Sequence, residues 1–266
     1  MALTERERFF RAMRYESADR RPLHLVGIWN DTLDRWHREG LPASVTDVHA
    51  HLGLTPLTTA NITPAAGPFP RFEERVLREE GDKRYSLDSY GRTVVDFKSH
   101  TSMPEWVDFP VKSPEDLRRY MDEHFDVDTL DARFPADWDK RIERAGQGGH
   151  LIMMDGGCYY WTLRSIAGVD GASYLFYDAP ELVDELFDRY FTVVMEGLRR
   201  GCARATVDVI GFGEDIGFKT GPLISPAMFR EFILPRYRAT MDFARKAGVP
   251  CTWYDSDGDI RQLIPD

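Results

Sequence analysis

Apolar residues change their spacing several times along the chain, and each change predicts an element. Thr4-Glu5-Arg6-Glu7 has the spacing of a capping box, and Phe9, Phe10 and Met13 follow at helical intervals, predicting a short amphipathic N-terminal helix. After Pro22, the run Leu23-His24-Leu25-Val26-Gly27-Ile28-Trp29 is mostly apolar and of strand length, as in a parallel strand buried on both faces. Thr32 to Arg38 reads as a helix with Leu33 and Trp36 on one side and Gly40 as its stop. The pattern then weakens among Pro56, Pro64, Pro68 and Pro70, with Leu57 to Ile62 as a second strand. Between Lys83 and Ser99, alternating Tyr85, Leu87, Thr93, Val95 and Phe97 flank Asp88-Ser89-Tyr90-Gly91, which predicts a β-hairpin inserted on a sheet of the other kind. Ser113-Pro114-Glu115-Asp116 opens another helix with an N-cap, an early proline and acids in the first turn.

The second half is more regular. His150 to Asp155 is a strand ending in Gly156-Gly157, followed by a helix to Gly168. Asp178-Ala179-Pro180-Glu181 opens a long helix whose apolar face runs from Leu182 to Leu198. Asp208 to Asp215 is the next strand. Ser225-Pro226 starts a helix to Lys246, kinked near Pro235 and closed by Gly248. Val249 to Tyr254 is a further strand, and a last helix begins at Asp259. Alternating strands and helices predict parallel βα units within one α/β domain over residues 1–266, with residues 83–99 as the hairpin insertion.

Composition narrows the function classes. The chain has 266 residues, 42% hydrophobic and 29% charged, as in an ordinary globular protein. Lys and Arg total 34 against 44 Asp and Glu, for a net charge of −10, which argues against nucleic acid or an anionic membrane as partner. No apolar run approaches the roughly 18 residues of a membrane span. Met1 to Arg14 is charged and carries no apolar signal core, and Cys158, Cys202 and Cys251 form no CxxC. Reduced thiols in a cytoplasmic protein are expected.

In βα architectures the strand C-terminal ends carry the chemistry. Trp29, Asn30 and Asp31 follow the first strand, Asn61 the second and Asp155 the third. Glu214 and Asp215 follow the fourth, and Asp255, Asp257 and Asp259 the fifth. An aspartate at such a junction is often only a helix N-cap, and Asp178 and Asp259 are expected to be that. Several acids facing one mouth would repel unless a cation or a shared proton were present. Asp255-x-Asp257 has strand periodicity, so its carboxylates share a side and suit a divalent metal or an acid–base pair; a turn rich in turn formers is the plain alternative. Only one of Glu214 and Asp215 can point inward, and Lys219 is placed to neutralise the other or to lie on the surface. His49 with His51, His100, and Cys158 at a helix start are weaker candidates. Tyr159, Tyr160, Trp161, Trp253 and Tyr254 crowd the same ends, as core or as the wall for a methylated ammonium ligand.

These residues resemble the uroporphyrinogen decarboxylase superfamily, which also contains methyltransferases that pass methyl groups between corrinoid proteins and thiols such as coenzyme M. The similarity is carried by Arg6-Glu7-Arg8-Phe9 with Asp19-Arg20-Arg21-Pro22, and by Ser102-Met103-Pro104 with Phe109-Pro110-Val111-Lys112. Further along it is carried by Trp161-Thr162-Leu163-Arg164 with Gly168, Gly213-Glu214-Asp215, Gly221-Pro222-Leu223-Ile224-Ser225-Pro226 with Phe229-Arg230-Glu231-Phe232, and Asp255-Ser256-Asp257-Gly258. The resemblance implies a (β/α)8 barrel, of which about five strands are accounted for. A chain truncated toward its C-terminus is therefore expected, with unpaired edges at the first and fifth strands and a homodimer as a candidate state.

The departures separate the branches. The decarboxylases carry an arginine-rich motif after the first strand, where this chain reads Gly27-Ile28-Trp29-Asn30-Asp31. Their catalytic aspartate falls near Asn61, and their tyrosine near Ser165 or Ile166. An acidic mouth suits a polyanionic tetrapyrrole poorly, so the methyltransferase branch is favoured over porphyrinogen decarboxylation, and a non-catalytic ligand-binding barrel is the third alternative. That branch implies a corrinoid protein as partner and a zinc site from His-x-Cys plus a later cysteine; here the pair's positions are Asp255 and Asp257, oxygen ligands that favour a harder cation. The candidate set is Glu214, Asp215 and Lys219 for catalysis, Trp29, Asn30, Tyr159, Arg164 and Trp253 for a small substrate, and Asp255 and Asp257 for a metal.

Overall fold

Thr4 opens the first helix, α1 (Glu5–Met13), as its spacing predicts: its hydroxyl accepts the Glu7 N–H at 3.2 Å while the Glu7 carboxylate accepts the Thr4 N–H at 2.7 Å. The computed structural model describes residues 3–23 and 27–266. Residues 24–26 of the expected first strand lie outside the described residues, and Gly27 to Trp29 are not strand. There α2 (Asn30–Arg38) begins two residues earlier than its sequence pattern, with Trp29 at the cap position. A single turn, α3 (Val48–His51), precedes the short strand β1 (Thr59–Asn61).

The expected hairpin is the centre of something larger. β2 (Arg75–Glu80), β3 (Lys83–Leu87), β4 (Thr93–Phe97) and β5 (Glu105–Asp108) form an antiparallel four-stranded meander in that order. β2 is exposed at every position, so it carries no alternation to detect. After it come α4 (Pro114–His124), capped by Ser113, two 3-10 turns, and α5 (Trp138–Gln147).

The regular half follows. β6 (Leu151–Asp155) leads to α6 (Tyr159–Asp178), which breaks at Gly168, where the sequence pattern ends its helix. That glycine has φ 73°, and a Cβ there would lie 2.8 Å from the Phe109 ring, so glycine suits both the bend and the contact. α7 (Pro180–Arg204) begins after Ala179; Asp178 belongs to the end of α6 and is not the expected cap, because the sharp turn puts Ala179 there. Next come β7 (Val209–Gly213) and a tight ribbon of β8 (Gly217–Phe218) and β9 (Gly221–Pro222). α8 (Pro226–Met228) runs through a π turn, Phe229–Ile233, into α9 (Leu234–Ala247). The Leu234 N–H bonds the Phe229 carbonyl across that wider turn, just before Pro235, which has no N–H to donate. β10 (Cys251–Asp255) closes the series. The helix expected from Asp259 is instead a set of turns, with Asp259 accepting the Arg261 N–H at 3.1 Å and pairing with its guanidinium.

β1, β6, β7 and β10 make one parallel sheet in that order, with Met153 opposite Val209 and Trp253 opposite Gly211. Four of the five expected parallel strands are therefore present among the described residues, and the sheet does not close into a barrel: the outer edge of β10 pairs with no strand. Near β1, the Leu57 N–H donates to the Leu23 carbonyl at 2.7 Å.

One face of this sheet carries Ile152, Met154, Ile210 and Phe212 into the main core with α6, α7 and α9, where Leu163, Leu186 and Phe187 are fully buried. Truncating any of these three to alanine costs about 3–5 kcal/mol. Helix α7 comes so near that a Cβ on Gly201 would lie 2.3 Å from the Met154 sulfur. The other face bears Leu151, Met153 and Val209, covered by Phe9 of α1 and Leu57 and flanked by Phe10, Cys251 and Trp253. Arg6 pins α1 there through the buried Asp208 carboxylate at 2.5 and 3.0 Å. Among the described residues no helix is long and apolar enough to cross a membrane.

Candidate functional site

Helix α6 starts without a side-chain cap of its own, and a residue from another strand fills that role. Glu214, immediately after β7, accepts the backbone N–H groups of Tyr159 at 2.6 Å and Trp161 at 2.9 Å and the hydroxyl of Tyr237. A carboxylate at a helix N-terminus meets unpaired donors and the positive end of the helix dipole. Glu214 has no solvent exposure, and burial pushes its carboxyl up to about 7 even though those hydrogen bonds pull the other way.

Asp215 turns the opposite way at φ 44°. Its carboxylate accepts the Asp257 N–H at 3.1 Å and faces the Arg164 guanidinium at 3.7 Å, and Arg164 also reaches the Asp215 carbonyl at 3.4 Å. The adjacent acids thus part, as expected, one into the core and one to the rim. The neutralising cation is Arg164; Lys219 sits exposed at the tip of the β8–β9 ribbon and forms no ion pair among the described residues.

Alternation brings Asn61, Asp155, Gly213 and Asp255 onto one face at the strand ends, that of Met153 and Trp253, as a staggered row in which Asp155 is level with Gly211 and Trp253, and Asp255 with Gly213. The Asn61 amide donates to the Asp155 carboxylate at 3.0 Å, and the Asp155 N–H donates to the Thr63 hydroxyl at 2.8 Å. Burial raises the Asp155 carboxyl against these two partners. Cys158 lies beside this row, its sulfur accepting the Gly213 N–H at 3.4 Å, and burial with the nearby Glu214 charge pushes its thiol up to about 12. It is therefore a neutral thiol despite its helix-start position.

Trp253 lies half-buried across Gly211, where a Cβ would stand 2.9 Å from the indole nitrogen. Tyr159 is wholly in the core, its ring edge-on to Phe187 and Tyr190. Trp29 and Asn30 are exposed at the start of α2 and have no hydrogen bond to the strand-end row among the described residues. Asp255 and Asp257 are exposed, and among the described residues no group of three or more His, Cys, Asp or Glu side chains gathers that could hold a metal ion. The donor set does not fit the zinc site implied by the resemblance. His49 lies beside Asp47, and His100 stacks on Phe97; neither has a hydrogen bond to this row among the described residues.

Two residues of the rim carry no sequence signal. Arg92, after the turn of the meander, stacks on Trp106 of β5, and Trp106 meets Arg164 and Trp161 of α6, edge-on to Trp161 at 5.6 Å. Nothing periodic links positions so far apart; only the excess of aromatic and arginine residues hints at stacking. A cavity of about 340 Å³ lies beside the site, lined by Phe229, Tyr237, Tyr254, Ile260, Leu263 and Ile264. A larger one of about 510 Å³ lies at the opposite, N-terminal ends of the strands, around Arg6, His150, Arg204 and Asp208.

No family model matches the chain, and no curated protein matches it. Among solved structures, the chain is similar to a methyltransferase from Methanosarcina mazei, at a TM-score of 0.51 and 14% identity over 98% of this chain and 72% of that one. At that identity the likeness is one of fold: an α/β arrangement of helices on a parallel sheet.

Proposed function

We propose that this chain is a methyltransferase-like enzyme on a barrel-type scaffold of the uroporphyrinogen decarboxylase kind, moving a one-carbon group from a small substrate bound across the strand ends. The similarity in fold to a methyltransferase over 98% of the chain supports it. The observation that carries the site is Asp155: a carboxyl with a raised pKa, steadied by Asn61, on the same sheet face as Asp255 and level with Trp253 across Gly211. Acids next to an indole suit a cationic or methylated ammonium group, and a carboxyl poised above its ordinary value suits proton transfer. Glu214 acts from beneath by fixing the first turn of α6, and Arg164 with Asp215 holds the rim. Asp255 and Asp257 are exposed, and among the described residues no third donor joins them. The partner taken here as methyl acceptor is a corrinoid protein.

The test is methylation of cob(I)alamin by methylated amines and methylated thiols, followed by visible absorption. Substrate-dependent formation of methylcobalamin is expected, falling about 10²-fold in Asp155→Ala. No transfer from any of these donors, or full activity in the variant, would overturn the proposal. Formation of coproporphyrinogen from uroporphyrinogen would replace it with decarboxylation.

A further inference from the structure

Two guanidinium groups from distant parts of the chain converge on one indole. Arg92 is 8% exposed, and its Nε and Nη2 both bond the Asp88 carboxylate at 2.7 Å. Its Cζ stands 4.7 Å from the Tyr90 ring centroid and 3.9 Å from that of Trp106. Arg164 stands 4.6 Å from the Trp161 centroid and 5.8 Å from that of Trp106. Both side chains are thus held in place by ring faces and by one carboxylate each.

Their donors are not used up. Arg92 Nη1 and Arg164 Nε are buried and have no hydrogen-bond partner among the described residues. The contacts of Arg164 to Asp215 are long, at 3.4 and 3.7 Å. An arginine offers five N–H donors in a planar fork, and buried donors in folded proteins nearly always find an acceptor. Two fixed guanidinium groups, each with an unpartnered nitrogen and set on aromatic walls, match the oxygens of a planar oxyanion.

We infer that the rim formed by Arg92, Trp106, Trp161 and Arg164 binds the carboxylate group of a small substrate. Arg164 reaches Asp215, and Asp215 holds the loop of Asp257 that follows β10, so a molecule anchored at this rim borders the strand-end row. The inference rests on the strand ends being the substrate face, as in the proposed function, but it is read by binding alone.

The experiment uses the full chain labelled with 5-fluorotryptophan, the Trp106 and Trp161 signals being assigned through Trp106→Phe and Trp161→Phe. Sodium acetate and propionate are titrated well past the millimolar range against sodium chloride at constant ionic strength, with inorganic phosphate in parallel. Both fluorine signals are expected to shift saturably with the carboxylates and not with chloride, and the apparent affinity is expected to fall about tenfold in Arg164→Gln. Arg92→Lys, which keeps the charge and loses the fork, gives the second variant if Arg92→Gln does not fold. Shifts that are linear, equal in chloride, unchanged in Arg164→Gln, or saturable with phosphate alone would overturn the inference. Methyl transfer without a carboxylate response would overturn only the inference, and a carboxylate response without methyl transfer only the proposed function.

Discussion

The carboxylate of Glu214 accepts the backbone N–H of Tyr159 at 2.6 Å, joining the end of β7 to the first turn of α6 across 55 positions of sequence. The same carboxylate takes the Trp161 N–H and the Tyr237 hydroxyl, so one buried group ties a strand to two helices. The helix that presents Trp161 and Arg164 to the rim is oriented by it.

Stability should fall as pH rises through neutrality. Burial raises the Glu214 carboxyl to about 7 in the folded chain, so the folded state binds this proton more tightly than the unfolded state does. The associated stability is complete in acid and is lost between the ordinary carboxylate range and about 7, amounting to about 3 kcal/mol. Asp155, also raised by burial, adds a slope of the same sign. Urea midpoints compared between about pH 5 and pH 8 should drop in the native chain and flatten in Glu214→Gln. Equal slopes in the two proteins would remove Glu214 as the cause.

Tyr237→Phe removes the hydroxyl that favours the charged carboxylate. The chain should lose about 1–3 kcal/mol at neutral pH, and the pH window of lost stability should move upward. Denaturation at several pH values checks both. An unshifted window would mean that the hydroxyl does not hold the carboxylate.

Two glycines should respond in opposite directions to alanine. At Gly168, φ 73° and the Phe109 ring at 2.8 Å from a new Cβ predict a loss of about 1–3 kcal/mol. Gly146 lies inside α5 with open space around its Cβ position, and alanine there should stabilise by about 0.5–1 kcal/mol. Thermal unfolding of the two variants side by side decides this, and a shared sign would contradict it.

Arg6→Ala leaves the buried Asp208 carboxylate with the Ile152 N–H as its remaining partner. Arg6 is itself 39% exposed, so solvent moderates the loss, which is expected at about 1–3 kcal/mol. In the double variant with Asp208→Asn the two losses should add to less than their sum. Strict additivity by chemical denaturation would show the pair to be uncoupled.

The parts legible in the sequence were those written within a few residues. Thr4 and Glu7 announce α1, Ser113-Pro114 announces α4, and the apolar runs ending at Asp155, Gly213 and Asp255 announce the parallel strands. Gly168 marks the break in α6 because only a glycine sits easily in that conformation. β2 was hidden because it buries neither face, and Asp259 misled because an aspartate that starts a helix also makes a simple turn. Within the site, the divergence of Glu214 and Asp215 follows from their adjacency. Which cation meets Asp215, and which helix Glu214 caps, depend on contacts between remote segments that no periodicity records.

Tyr237 has a second surface. Besides donating to Glu214, it forms part of the wall of the apolar cavity with Phe229, Tyr254 and Ile260. A molecule filling that cavity would lie against the residue whose hydroxyl meets the Glu214 carboxylate, and any effect it had on that bond would be matched, by reciprocity, by an effect of the carboxyl's protonation on its binding.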